Sequence, residues 1–162
     1  MSIEHNLRFL ILYIMKIDYI NNYEYTIYLN KYYYTFDKDT IEKCIFKVLK
    51  RLKKEYNIDI YSTFNIKCYI NDYYGIILNI IKETDPFLKY KEKTNTNIKY
   101  YEKSIFLFEI DDYFLKNKLK CKVYMYNKKH YIELMDDYFN ICEHINNIVF
   151  GDKILKIINN DN

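Results

Sequence analysis

Two glycines, Gly75 and Gly151, serve a chain of 162 residues, and a single proline, Pro86, joins them. Phosphate-cradling loops need clustered glycines so that the backbone can approach the ligand. Two isolated ones exclude P-loop and Rossmann-type nucleotide binding. Tight turns must then come from asparagine and aspartate, which tolerate positive φ. Asn21-Asn22 supplies such a turn between two strand-like runs, Lys16–Ile20 and Tyr23–Leu29, with Tyr32–Phe36 as a candidate extension. That predicts a first β-hairpin.

A helix is predicted next. Asp39, Thr40, Ile41 and Glu42 form a capping-box arrangement, with an acceptor at the start and a carboxylate three residues on. Ile41, Cys44, Ile45, Val48, Leu49, Leu52 and Tyr56 then recur at helical spacing and define one apolar stripe. Lys43, Lys47, Lys50, Arg51, Lys53 and Lys54 fill much of the remainder, gathered late where they suit the helix dipole. After it, Phe64, Ile66, Cys68 and Ile70 alternate with polar residues. A three-residue loop Asn71-Asp72-Tyr73 would pair Ile70 with Tyr74, Cys68 with Ile76, Ile66 with Leu78 and Phe64 with Ile80, all apolar on one face.

Residues 83–103 are polar, include Pro86 and Lys91-Glu-Lys-Thr-Asn-Thr-Asn97, and read as a loop and the one candidate boundary. Beyond it, Ile105–Ile110 reads as a strand and Asp111–Lys118 as a short helix. A hairpin turning at Asn127-Lys128 would set Tyr124 against Tyr131, Val123 against Ile132 and Lys122 against Glu133. A helix from Asp136 to about Asn146 and an amphipathic segment Lys153–Ile158 complete the chain. The fold class expected is therefore α+β: two small α/β units, each an amphipathic helix packed on antiparallel hairpins. Their bounds are 15–84 and 104–158, with 1–14 an extension or first element, 85–103 a polar loop and 159–162 a tail. The whole is expected to form one compact domain.

Half of the residues are apolar, enough at this length to bury a core without disulfide or metal. There are 21 tyrosines and 10 phenylalanines but no tryptophan. Ile, Lys, Asn and Tyr have A/T-rich codons, so the tyrosine content reads as genomic bias unless a surface uses it. The net charge of +3 is too small to imply a nucleic-acid field over the whole molecule. Cys44, Cys68, Cys121 and Cys142 lack zinc or disulfide-scaffold spacing and read as free thiols of a cytoplasmic protein without cofactor. The apolar run Leu7–Met15 carries Arg8 and falls short of the roughly 20 residues a membrane span needs. Its flanks do not suit a signal peptide, and Met15 could itself be the start.

Few constellations suggest chemistry. Cys142 and His144 are two apart and would diverge on a helix. The pairs Asp111-Asp112 and Asp136-Asp137 precede expected helices, where carboxylates act as caps. The positions Lys43, Lys47, Lys50 and Lys54 share one helical stripe and could contact phosphates. A solvated helix face is the plainer account of them.

Met15-Lys-Ile-Asp-Tyr-Ile-Asn21, followed by a strand, an amphipathic helix and the hairpin Phe64–Ile81, resembles the opening of the MecA-type adaptor family of Clp proteases. Ile105-Phe-Leu-Phe-Glu-Ile-Asp-Asp112 and then Val123-Tyr-Met-Tyr-Asn-Lys-Lys-His-Tyr-Ile-Glu-Leu134 are similar to that family's second domain. The resemblance spans most of the chain after Met15 as a pattern, and carries over no functional residue. It implies an adaptor that delivers substrates to a Clp unfoldase. The expectation is thus a non-enzymatic interaction or adaptor protein whose partner is another protein. A nucleic-acid-binding module using the basic face of helix 39–56 is second. A small enzyme drawing on Asp111, Asp112 and His144 is third.

Overall fold

The computed structural model describes residues 15–30, 38–84, 93–110, 122–133 and 145–160. These form an α+β fold whose contacts divide into two compact units. The first comprises residues up to Ile70 together with Gly75–Tyr101; the second comprises Asn71–Tyr74 and the residues from Glu102 on.

In the first unit β1 (Met15–Asn21) and β2 (Glu24–Asn30) form the expected hairpin, turning at Asn22-Tyr23, one residue later than predicted. The Tyr23 N–H donates to Asn21 Oδ1 at 2.8 Å, so an asparagine side chain does what a glycine would otherwise do. Helix α1 (Lys38–Tyr56) follows. Asp39 lies inside its first turn, where its charge complements the helix dipole. The hairpin of β3 (Thr63–Asn71) and β4 (Gly75–Lys82) comes next, then β5 (Asn95–Tyr101). The sheet order is β1-β2-β4-β3-β5, with β5 parallel to β3.

Two expectations need correction here. The β3–β4 loop has three residues, but they are Asp72, Tyr73 and Tyr74. Glu83 N–H donates to Thr63 C=O at 2.8 Å, which shifts the register by two residues from the expected pairs. A shift of two keeps every side chain on its expected face, so burial alone could not choose between them. The deciding contacts are local. Asn71 Oδ1 accepts from both Tyr73 N–H and Tyr74 N–H at 2.9 Å, and Gly75 takes φ 133°, a region open to glycine. The second correction is β5 itself, which runs through the segment expected to be loop.

One face of this sheet carries the core. Tyr25, Ile27 and Leu29 stand opposite Ile80, Leu78 and Ile76. With Phe64, Ile66 and Cys68 they bury the expected stripe of α1 from Ile41 to Leu52. Ile17, Ile98 and Tyr100 border that core from the two edge strands. The expected stripe ended on Tyr56, which is instead 40% exposed, past the end of the buried layer.

The second unit has a four-stranded antiparallel sheet. Its strands are β6 (Leu107–Ile110), β7 (Val123–Tyr126), β8 (Lys129–Glu133) and β9 (Ile145–Val149), in the order β7-β8-β6-β9. The β7–β8 hairpin turns at Asn127-Lys128, with Tyr124 opposite Tyr131 and Val123 opposite Ile132 as predicted. Both turn residues have positive φ (50° and 63°), as a two-residue hairpin of right-handed twist demands. Helix α2 (Lys153–Asn159) packs Ile154 and Ile157 against Leu107, Tyr124 and Tyr131. Asn71 Nδ2 donates to Ser104 C=O at 2.9 Å, and the Tyr74 ring meets Phe106 and Phe108. Residues 145 and 146, expected to end a helix, belong to β9. Expectations for Tyr32–Phe36, Asp111–Lys118 and the remainder of that helix lie outside the described residues.

Candidate functional site

The helical period of α1 places Lys43, Lys47, Lys50 and Lys54 on its exposed side, as the sequence implied. Phe46, 48% exposed, is interleaved with them one turn from Lys43 and from Lys50. Acidic groups share this exposed surface: Glu42 is exposed, and Arg51 Nε donates to Glu55 Oε1 at 2.6 Å. The helix surface is therefore mixed in charge.

A second feature was not anticipated from the sequence. At the C-terminal end of α1, the rings of Tyr56 and Tyr19 stack with centroids 5.5 Å apart and planes 15° apart. Tyr19 also lies 5.6 Å from Tyr25, which is buried. Both Tyr19 and Tyr25 hydroxyls donate to Asn22, one to its side-chain oxygen and one to its carbonyl. The turn that closes the first hairpin thus fixes the ring orientations. Burial and the neighbouring phenols Tyr19 and Tyr23 push the Tyr25 pKa upward, so this hydroxyl stays a donor at neutral pH. Tyr19, Tyr23 and Tyr56 are 45%, 51% and 40% exposed, and Lys53 holds its ammonium 5.4 Å from the centroid of Tyr61. Tyr19, Tyr23 and Tyr56 make an exposed aromatic patch at the α1 terminus. A sequence signal existed: Tyr56 closes the apolar stripe one turn beyond Leu52, at the helix end.

Nothing described supports nucleophilic chemistry. Cys44 and Cys68 are free and buried. Burial pushes the Cys68 thiol up to about 12, and raises Cys44 as well, against a smaller opposing effect of Lys47. Neither thiol is activated. Among the described residues no group of three His, Cys, Asp or Glu side chains could hold a metal ion. Cys121, Cys142, His144 and the pairs Asp111-Asp112 and Asp136-Asp137 lie outside them. His130 is half-buried in β8. No helix among the described residues is long and apolar enough to cross a membrane.

Comparison with known protein families, with characterised proteins and with solved structures finds no match.

Proposed function

We propose that the chain is a non-enzymatic interaction protein of adaptor type that docks a protein partner through the Tyr19–Tyr23–Tyr56 patch. The observation that carries this is the stacked, half-exposed Tyr19–Tyr56 pair. Tyrosines give large contact area with few rotatable bonds, so they dominate many interfaces. Here the Tyr19 ring is held before any partner arrives, by stacking on Tyr56 and by its hydrogen bond to Asn22. That lowers the entropic cost of association. The resemblance to MecA-type adaptors supplies the class of partner, a Clp-type unfoldase. The test is co-elution of the full chain with a purified Clp unfoldase, repeated with Tyr19→Ser/Tyr56→Ser. Association weakened at least tenfold by the double variant is the expected result. Association indifferent to both substitutions would remove the patch from the proposal, and none at all would remove the unfoldase.

A further inference from the structure

The face of the five-stranded sheet opposite α1 carries a second surface of different chemistry. Strand alternation puts Asn65, Lys67 and Tyr69 of β3 on that face, since Phe64, Ile66 and Cys68 enter the core. The parallel register of β5 then sets like against like: Asn97 beside Asn65, Lys99 beside Lys67, Tyr101 beside Tyr69. Asn65, Lys67, Asn97 and Lys99 are exposed, and the two tyrosines are half-buried. The β2–β4 part of the same face is closed, with Thr26, Tyr28 and Ile77 buried.

Each row has its own geometry. The Tyr69 and Tyr101 rings stack with centroids 4.9 Å apart and planes 14° apart. Lys99 Nζ lies 5.2 Å from the Tyr101 centroid. Asn97 Nδ2 donates to Asn65 Oδ1 at 3.1 Å, and Asn65 Nδ2 to Glu83 Oε1 at 3.0 Å. Three carboxylates that strand alternation places on this face have partners of their own: Glu83 accepts from Asn65, Glu24 accepts from Asn79, and Asp18 pairs with Lys16 at 3.6 Å. Among the described residues neither Lys67 nor Lys99 pairs with a carboxylate. Like charges directly opposite on neighbouring strands destabilise a sheet, and an anion placed between the two ammonium groups would relieve that repulsion.

We propose that this β3–β5 face binds single-stranded nucleic acid, with Lys67 and Lys99 contacting phosphate and the Tyr69–Tyr101 stack receiving a base. Successive rows are two residues apart, so the three rows span about 13 Å along the strands, room for two or three nucleotides. A duplex hides its base faces and could use the lysines alone, whereas unstacked bases can use the aromatic rungs as well. An acidic peptide would likewise satisfy only the lysines.

The test is fluorescence anisotropy of labelled eight-nucleotide oligo(U) and oligo(dT) with the full chain, titrated from about 50 to about 200 mM salt. Binding is expected, with a log–log salt slope near −1.4 for two neutralised phosphates of a single strand, at about −0.7 each. Lys67→Gln/Lys99→Gln should weaken binding at least tenfold and flatten that slope. Tyr101→Leu should weaken it about 5- to 150-fold and leave the slope unchanged. The fourfold variant Lys43→Gln, Lys47→Gln, Lys50→Gln, Lys54→Gln should bind as wild type does. A preference for oligo(U) or for oligo(dT) would assign the ligand as RNA or DNA. Four results would overturn the proposal: no binding at 50 mM salt; loss in the α1 variant but not in the sheet variant; equal affinity for a duplex; or equal affinity for poly-glutamate. Both lysines are exposed, so their double variant keeps the fold; should it melt early, the wild-type slope and the duplex comparison still decide.

Discussion

Leu49 is shielded from water to within 1%, in the middle of the α1 stripe and among the sheet residues it was expected to meet. Leu49→Ala removes three carbons and leaves a cavity that rigid neighbours fill only in part, so it should cost about 2–5 kcal/mol, read from the shift in a urea midpoint. Cys68 provides a pH-dependent counterpart. Its thiol titrates near 12 in the folded chain against 9.0 when unfolded, because burial disfavours the thiolate. Below pH 9 both states keep the proton and the stability is fully present. As pH rises from 9 toward 12 the unfolded chain ionises first, and stability falls by up to about 1.4 kcal/mol per pH unit. Comparing wild type with Cys68→Ala between pH 8 and 11 should show that extra slope only in wild type; parallel curves would reject it. At this scale the core was legible in the sequence, because helical and alternating periods are set by burial. The Tyr19–Tyr56 stack was not, since it joins residues 37 positions apart through a sheet register that no local pattern specifies.

The two strands that escaped sequence reading, β5 and β9, are edge strands, and neither joins its sheet by a tight hairpin. An edge strand is buried on less of its surface, so its period-2 signal is weak. In β5 the only regular contributors to the core are Ile98 and Tyr100. In β9 the pairing with β6 is interrupted by a register shift beside Ile110, and Asn147 is exposed. A bulge breaks alternation where a pattern would be sought. By contrast β7–β8 was readable because its turn and the Tyr124–Tyr131 and Val123–Ile132 pairs agree. Turn chemistry gives tests at this scale. Gly75→Ala places a Cβ at φ 133° and should destabilise by about 1–3 kcal/mol in thermal unfolding. Lys128 holds φ 63° with a side chain, so Lys128→Gly should be neutral or stabilise by up to about 1 kcal/mol. A loss on Lys128→Gly would show that the ladder, rather than the turn, sets this hairpin.

The division of the chain into two units does not coincide with a cut in the sequence. Asn71–Tyr74, the tip of the β3–β4 hairpin, belongs to the second unit, whose other residues begin at Glu102. A fragment of residues 102–162 therefore lacks the donor to Ser104 and the ring that meets Phe106 and Phe108. It should fail to fold alone, giving a collapsed proton NMR spectrum, whereas a dispersed spectrum would show the tip to be dispensable. The polar stretch 83–103 reads as a linker because no pattern within it reports that β5 pairs back to β3 across the β4 excursion. The same discontinuity sets a clock during synthesis. Asn71 precedes its acceptor Ser104 by 33 residues, so at about 5–20 residues per second it waits about 2–7 s for the partner to be made. For that interval Tyr74 has neither Phe106 nor Phe108 beside it, so the tip of the β3–β4 hairpin takes its packed place only once β6 has been made.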